Sequence, residues 1–199
     1  MAVSGIVLAG GRSLRMGKDK TQLMWGRYTL LEKAVCRLRS LTDDVLVVES
    51  LGGLSSLPGV RKVQDRYKGC GPLGGIHTGL LEAKHEAVLV LSCDMPFVTA
   101  ELTAFLAAKR EGFAAVIPRY RGHVEPLCAV YARSCLPVIE DLLQAGDNQV
   151  RQVFAKVNTC YVEEVELERF GDVQQLFFNL NTPQDWQEAL RRKEEGYGN

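Results

Sequence analysis

Residues 5–20 read GIVLAGGRSLRMGKDK, a short apolar run that ends in paired glycines and continues into a basic segment. A continuous apolar run closed by glycines is typical of a strand buried on both faces of a parallel sheet. Glycines directly after such a strand let backbone N–H groups approach a phosphate closely. These residues therefore predict an α/β sheet with an anion site at the end of its first strand, Gly5–Leu8.

The basic segment places four cations within nine residues, at Arg12, Arg15, Lys18 and Lys20. Guanidinium and ammonium groups neutralise phosphate oxygens through charge-assisted hydrogen bonds, which suits a triphosphate. Neither the Walker A pattern nor a dinucleotide fingerprint occurs in this segment, since Asp19 stands where Walker A requires a hydroxyl. A tight turn with solvated cations would explain the glycines alone, but the complete segment favours a nucleotide site.

The composition excludes several classes of protein. Lys plus Arg and Asp plus Glu both number 24, so the chain lacks the basic excess of a nucleic-acid-binding protein. The six cysteines have irregular spacing, which indicates free thiols in a reducing compartment. No apolar run is long enough for a membrane span, and no basic segment precedes the first strand as in a signal peptide. We therefore expect a cytoplasmic protein without membrane or nucleic-acid partners.

Strand and helix patterns alternate along the chain. Apolar runs predict strands at 5–8, 45–48, 60–64, 87–91, 114–117 and 127–131. Helices are expected after the caps Thr29, Thr99, Ser134 and Thr182, and at 74–83. This order predicts a single-domain, Rossmann-like three-layer α/β sandwich with a mostly parallel sheet, as in nucleotidyltransferases. We expect one domain over residues 1–193 and a flexible tail over 194–199.

Two aspartates follow predicted strands. Asp94 comes directly after the strongest apolar run, at the carboxyl end where open α/β sheets bind ligands. Because Mg²⁺ is commonly held by one or two carboxylates together with substrate phosphates, Asp94 is the candidate metal ligand. Asp65 ends the third strand. Three roles are open for it: binding the nucleotide, binding a metal ion through water, or capping the turn. Glycines at 69–75 bring a further helix start to the same rim.

Five segments, LAGGRSLRMGKDK, GPLGGI, LSCDMP, EPLCAVY and NLNTPQD, occur in this order along nearly the whole chain. Together they resemble the molybdenum cofactor guanylyltransferase family. The resemblance implies that GTP and a molybdopterin acceptor react, with Mg²⁺, to give a guanine dinucleotide cofactor and pyrophosphate. It also implies transient contacts with other proteins of cofactor biosynthesis.

The resemblance assigns roles to individual residues. It implies Asp94 as a ligand of GTP and Mg²⁺ and Lys20 as a contact of the GTP phosphates, and we expect both to be catalytic together with Arg15 of the basic segment. The implied nucleotide-binding residues are Leu8, Ala9, Gly10, Lys20, Asp65 and Asp94, with Gly11 of the glycine turn expected beside them, and the implied acceptor-binding residues are Glu125, Asn179 and Asn181. Two positions depart from the family pattern: Ser50 follows the second strand where relatives often have Asn, and Glu125 stands where they have Gln or His.

A phosphate nucleophile is already ionised at neutral pH, so the reaction needs positioning and charge neutralisation rather than a strong base. Of the histidines, His77 is expected in the core or at the surface, and His123 is the better candidate for acceptor contact. The alternatives are a cytidylyl- or sugar-phosphate nucleotidyltransferase, a non-catalytic nucleotide-binding subunit, and a structural α/β partner protein. The last leaves the basic segment unexplained.

Overall fold

The computed structural model describes residues 2–9, 20–50 and 57–196. The strands of these ranges are β1 Ser4–Ala9, β2 Met24–Trp25, β3 Tyr28–Thr29, β4 Val45–Glu49, β5 Arg61–Gln64, β6 Ala87–Ser92, β7 Ala115–Tyr120, β8 His123–Val124, β9 Cys128–Ala132 and β10 Thr159–Glu163. The helices are α1 Leu30–Arg39, α2 Gly71–Glu82, α3 Ala100–Ala108, α4 Leu136–Gln144, α5 Arg151–Phe154, α6 Glu164–Leu167, α7 Val173–Leu176 and α8 Pro183–Glu194. Short 3₁₀ turns cover Lys20–Gln22, Arg133–Cys135 and Glu168–Phe170.

The main sheet has the strand order β10-β7-β9-β6-β1-β4-β5, with β8 paired to β7. Strands β5, β4, β1 and β6 are parallel neighbours, whereas β9 runs antiparallel to both β6 and β7. The hairpin β2–β3 forms a separate two-stranded sheet. The predicted mostly parallel sheet is confirmed. The direction of β9 makes it a mixed one.

Two apolar clusters cover the two faces of the sheet. One joins α1, α3 and α8 to alternate residues of β1 and β6, among them Val7 and Leu89. The other joins α2 and α4 to the remaining residues of β1 and β6, which point to the opposite face of the sheet and include Ile6 and Val90. Successive side chains of a strand point to opposite faces, so strands covered on both sides are apolar throughout. This arrangement is the predicted three-layer sandwich.

Helix α2 lies unusually close to the sheet because of its glycines. A Cβ built on Gly79 would lie 2.1 Å from Ile6 Cδ1, and one on Gly75 would lie 2.9 Å from Leu8 Cδ2. The helix begins at Gly71, three residues before the predicted Gly74, because Pro72 is favourable in a first turn. Of the glycines predicted at this rim, Gly75 therefore serves close helix–sheet packing, whereas Gly69 and Gly71 have positive φ and open space around them.

Two of the predicted helix caps are capping boxes. Thr29 accepts a hydrogen bond from the Glu32 N–H at 3.1 Å, and Thr182 accepts one from the Asp185 N–H at 3.1 Å. The cap predicted at Ser134 is wrong. Ser134 lies inside the 3₁₀ turn, so the chain is already helical before α4 begins and makes no side-chain cap there.

Within the ranges given above, no helix has the length and apolar character that crossing a lipid bilayer requires. Helix α8 continues to Glu194, one residue beyond the expected end of the domain, and residues 197–199 lie outside the described ranges. The division into residues 1–193 and a flexible tail stays a prediction.

Candidate active site

The carboxyl ends of β1, β4 and β6 meet at one edge of the sheet. In the register, Leu8 of β1 lies between Val48 of β4 and Ser92 of β6, and Ala9 pairs with Glu49. Leu8 is half-buried and Ala9 is buried, so their backbone leads directly from the core to this edge. Ligands of open α/β sheets bind at such edges.

Asp94 lies at this edge, two residues after the end of β6. Its Oδ1 accepts a hydrogen bond from the Ser92 hydroxyl at 2.5 Å, and its Oδ2 lies 3.4 Å from Lys20 Nζ. The Lys20 and Asp94 side chains are 16% and 19% exposed. A hydroxyl on one oxygen and an ammonium on the other hold the carboxylate in one orientation while leaving it accessible.

Lys20 connects Asp94 to the carboxyl-terminal part of the chain. Its ammonium also donates to Asn181 Oδ1 at 3.1 Å, and the Leu180 N–H donates to the Asp94 carbonyl at 2.9 Å. Asp185 in turn accepts the Asn181 N–H at 2.9 Å. Residues separated by 74 and 161 positions in the chain are thus brought into one network.

Burial of Asp185 opposes its ionisation, but the backbone and side-chain hydrogen bonds of Asn181 and Thr182 and the charge of Lys20 together lower its pKa. The carboxylate is therefore charged at neutral pH, where it orients the Asn181 backbone.

Glu125 adds a second carboxyl beside Asp94. Burial above all, together with the negative charge of Asp94, raises the pKa of Glu125 to about 7, against the opposing effect of hydrogen bonds from Leu127 and Asn179. The Asn179 amide also donates to the Phe177 carbonyl at 3.1 Å. Because its pKa lies near neutrality, Glu125 can hold a proton and act as a hydrogen-bond donor or release it and act as an acceptor.

Asp65 makes its hydrogen bonds within the turn between β5 and α2. The residue is 5% exposed, and its Oδ1 accepts the Tyr67 N–H at 2.9 Å and the Thr78 hydroxyl at 3.3 Å. These bonds fix the turn that leads from β5 into α2. They support the turn-capping alternative, and the role in nucleotide binding stays a prediction.

The remaining candidates have separate surroundings. His77 is 3% exposed, contacts the Tyr67 ring and lies 3.1 Å from Glu140 Oε1, so it is a core histidine as expected. His123 lies exposed on β8.

Ser50 follows β4 at the position where the family resemblance leads one to expect Asn. Its carbonyl accepts a hydrogen bond from Gln64 Nε2 at 3.3 Å, and the neighbouring Glu49 pairs with Lys62 at 3.0 Å.

Predicted site residues thus divide into three groups. The structure brings together Lys20, Asp94, Glu125, Asn179 and Asn181 at the sheet edge, where Leu8 and Ala9 also lie. Asp65 is bonded within its own turn. Gly10, Gly11 and Arg15 lie outside the described residues, together with Arg12 and Lys18. Their roles stay predictions.

Sequence reasoning missed Ser92 and Asp185, which orient Asp94 and Asn181. Ser92 is visible in the sequence as the polar residue that ends the apolar run, but its bond to Asp94 depends on the turn after β6, which strand alternation does not describe. The sequence shows Asp185 only as the acid three residues after the Thr182 cap, and its bond to the Asn181 N–H depends on how the preceding turn folds.

The arrangement is suited to a triphosphate with a divalent cation. Carboxylate oxygens are the ligands that Mg²⁺ prefers, and an ammonium group binds phosphate oxygens. In the part of the chain that the structure describes, no three His, Cys, Asp or Glu side chains form a metal-binding group. The described carboxylates would therefore share a cation with ligands from substrate and water.

Comparisons with known proteins bear on the family and the fold of this chain. Residues 5–161 match the family model for the MobA-like NTP transferase domain. A probable molybdenum cofactor guanylyltransferase of Pelotomaculum thermopropionicum is 36% identical over 185 residues, covering 93% of this chain and 90% of that protein. The molybdenum cofactor guanylyltransferase of Syntrophotalea carbinolica is 35% identical, covering 98% and 93%.

Among solved structures, molybdopterin-guanine dinucleotide biosynthesis protein A of Archaeoglobus fulgidus superposes with a TM-score of 0.84 at 28% identity. The superposition covers 97% of this chain and 100% of that one. The similarity therefore extends over the whole sandwich. The chain therefore belongs to the family of MobA-like NTP transferases, and within it to the molybdenum cofactor guanylyltransferases.

Proposed function

We propose that the chain transfers GMP from GTP to molybdopterin, releasing pyrophosphate and forming the guanine dinucleotide cofactor, with Mg²⁺ held at Asp94. The observation that carries the proposal is the meeting of the Lys20 ammonium, the Asp94 carboxylate and the Asn181 amide at the carboxyl edge of the sheet. In the reaction an oxygen of the acceptor phosphate bonds to the α-phosphorus of GTP, and the bond between the α- and β-phosphates breaks.

The donors at Asp94 fit Mg²⁺. Its carboxylate offers hard oxygen atoms in an accessible place, and Mg²⁺ usually completes its coordination with substrate phosphates and water. Ser92 holds one of these oxygens in place from inside the protein. When bound there, Mg²⁺ would supply charge neutralisation at the triphosphate.

In this proposal Lys20 binds phosphate oxygens of GTP. Its ammonium is shared between Asp94 and Asn181, and the 3.4 Å separation from Asp94 is long for a charge-assisted bond. Exchange of this loose contact for triphosphate oxygens costs little. Arg15, from the segment outside the described residues, would add a second cation for the leaving pyrophosphate.

On the acceptor side the chain presents hydrogen-bonding groups from two segments. Asn179 and Asn181 carry amides, and Glu125 carries a carboxyl whose pKa is raised to about 7, chiefly by burial. In its protonated form Glu125 avoids repelling an anionic acceptor and can donate a hydrogen bond to it. We place the molybdopterin end of the site between Glu125 and these amides.

We further propose a cytoplasmic location, a single transferase domain over residues 1–193 and transient contacts with other cofactor-biosynthesis proteins. The free thiols of all six cysteines support a reducing compartment.

Pyrophosphate release tests the function. We expect release from GTP in the presence of both Mg²⁺ and a molybdopterin acceptor, and much less from CTP. Equal release from CTP would favour the cytidylyl alternative. Binding of GTP without any release in the presence of the acceptor would favour the non-catalytic alternative.

A further inference from the structure

Four aromatic side chains connect the segments that carry the site, and we call them the aromatic bridge: Trp25, Phe97, Phe178 and Trp186. The Trp25 ring meets Phe97 edge to face at 5.4 Å between centroids and meets Trp186 at 5.9 Å. Phe97 meets Phe178 at 6.3 Å. Trp25 is 2% exposed and Phe97 is 3% exposed, so the centre of the bridge is fully buried.

Each member of the bridge lies close in sequence to a site residue. Trp25 follows Lys20 by five residues and Phe97 follows Asp94 by three. Phe178 directly precedes Asn179, and Trp186 follows Asn181 by five. The bridge therefore joins, beneath the site, the same three segments that Lys20, Asp94 and Asn181 join within it.

The segment of Lys20 is held by this packing together with the Leu30 N–H, which donates to the Leu23 carbonyl at 2.9 Å. In the described ranges its strand β2 pairs with β3 and not with the main sheet. The ion pair between Lys20 and Asp94 is long and partly exposed, and such pairs contribute little to stability. A buried tryptophan, in contrast, removes about 150–250 Å² from water and prefers specific ring geometries.

We propose that Trp25 is a positioning residue, which fixes Lys20 relative to Asp94 and Asn181 through its contacts with Phe97 and Trp186. The inference rests on the proposed function, because it requires Lys20 to act on the triphosphate. Loosening the bridge displaces the ammonium from the phosphate that it must contact. A displacement of about 1 Å in a reacting arrangement can lower a rate by as much as 10²-fold.

A double-mutant cycle with Trp25→Phe and Lys20→Met tests this proposal. Phenylalanine keeps an apolar ring but is too small to keep both edge contacts. We expect Trp25→Phe to lower kcat for pyrophosphate release about tenfold with KM for GTP changed less, and to cost less than twofold when Lys20 is already Met. Equal losses in the two backgrounds would overturn the proposal. Full activity of Lys20→Met would instead refute the proposed role of Lys20, and with it this inference.

Phe97→Leu and Phe154→Leu form a matched pair of controls. Both phenylalanines are buried and both contact aromatic rings. Phe97 contacts Trp25 and Phe178, whereas Phe154 packs on the opposite face of the sheet against Tyr131. We expect Phe97→Leu to reduce kcat and Phe154→Leu to leave it within twofold, with both folds checked by circular dichroism. Equal effects of the two would mean that the bridge acts only through stability. Should Phe97→Leu fail to fold, the Trp25 cycle decides alone.

Discussion

Replacing Glu125 with Gln should change how the stability of this protein depends on pH. Burial, together with the charge of Asp94, raises the pKa of Glu125 to about 7 in the folded protein from an ordinary value of 4.5. The folded state thus binds the proton more tightly than the unfolded chain does. The free energy of unfolding therefore falls as pH rises from 4.5 to 7, and it levels off above the folded pKa.

The magnitude follows from the shift. One pKa unit corresponds to about 1.36 kcal/mol, so a shift of about 2.5 units makes the ionised carboxyl destabilising by about 3 kcal/mol above pH 7. Glutamine keeps the size of the side chain and its capacity to accept the Leu127 hydrogen bond, but it cannot ionise. Glu125→Gln should therefore be more stable than the parent at pH 8, with a much smaller difference at pH 5.

Urea unfolding at both pH values, in EDTA and followed by circular dichroism, measures this difference. We expect the gain from Glu125→Gln to be about 2–3 kcal/mol larger at pH 8 than at pH 5. Glu111→Gln, at an exposed position away from the site, is the matched control and should show no such pH dependence. If the two variants behave alike, the carboxyl of Glu125 is not held in the surroundings described here.

Two further substitutions test single contacts. Lys20→Ala should lower kcat/KM for GTP, because the loss of one charge-assisted contact removes about 1.5–3 kcal/mol of transition-state stabilisation. The exposed control Lys156→Ala should leave the steady-state kinetics unchanged. An unaltered response to GTP would remove Lys20 from the site. Thr182→Ala should cost about 1 kcal/mol in urea unfolding, because the capping box of α8 loses its acceptor for the Asp185 N–H. A midpoint equal to that of the parent would show that the box contributes nothing.

The regular part of the fold could be predicted because its signals are local. Strands buried on both faces are continuously apolar, and Thr29 and Thr182 carry the spacing of a capping box in the sequence itself. The direction of β9 could not be predicted, since its apolar run reads the same whether its neighbours are parallel or antiparallel. Ser134 failed as a cap because a 3₁₀ turn before α4 took its place.

For the site, residue types and chain position indicated Asp94 and Lys20, but not their partners. Whether Asp65 faces a ligand or its own turn depends on Thr78, thirteen residues away on α2. The aromatic bridge could not be predicted either, because Trp25 and Phe97 become neighbours only when the hairpin β2–β3 packs against the segment that follows β6. Such contacts follow from tertiary packing, and no local pattern predicts them.

The most direct test of a shared triphosphate and metal site is Mg²⁺-dependent pyrophosphate release by Asp94→Asn, with the exposed Asp43→Asn as control. Asparagine keeps the shape of the side chain but lacks the charge that holds the cation. We predict that Asp94→Asn folds normally, binds Mn²⁺ more weakly by electron paramagnetic resonance and releases almost no pyrophosphate at any Mg²⁺ concentration. Turnover by Asp94→Asn at the parental rate, with an unchanged dependence on Mg²⁺, would contradict the assignment of a shared triphosphate and metal site to Asp94.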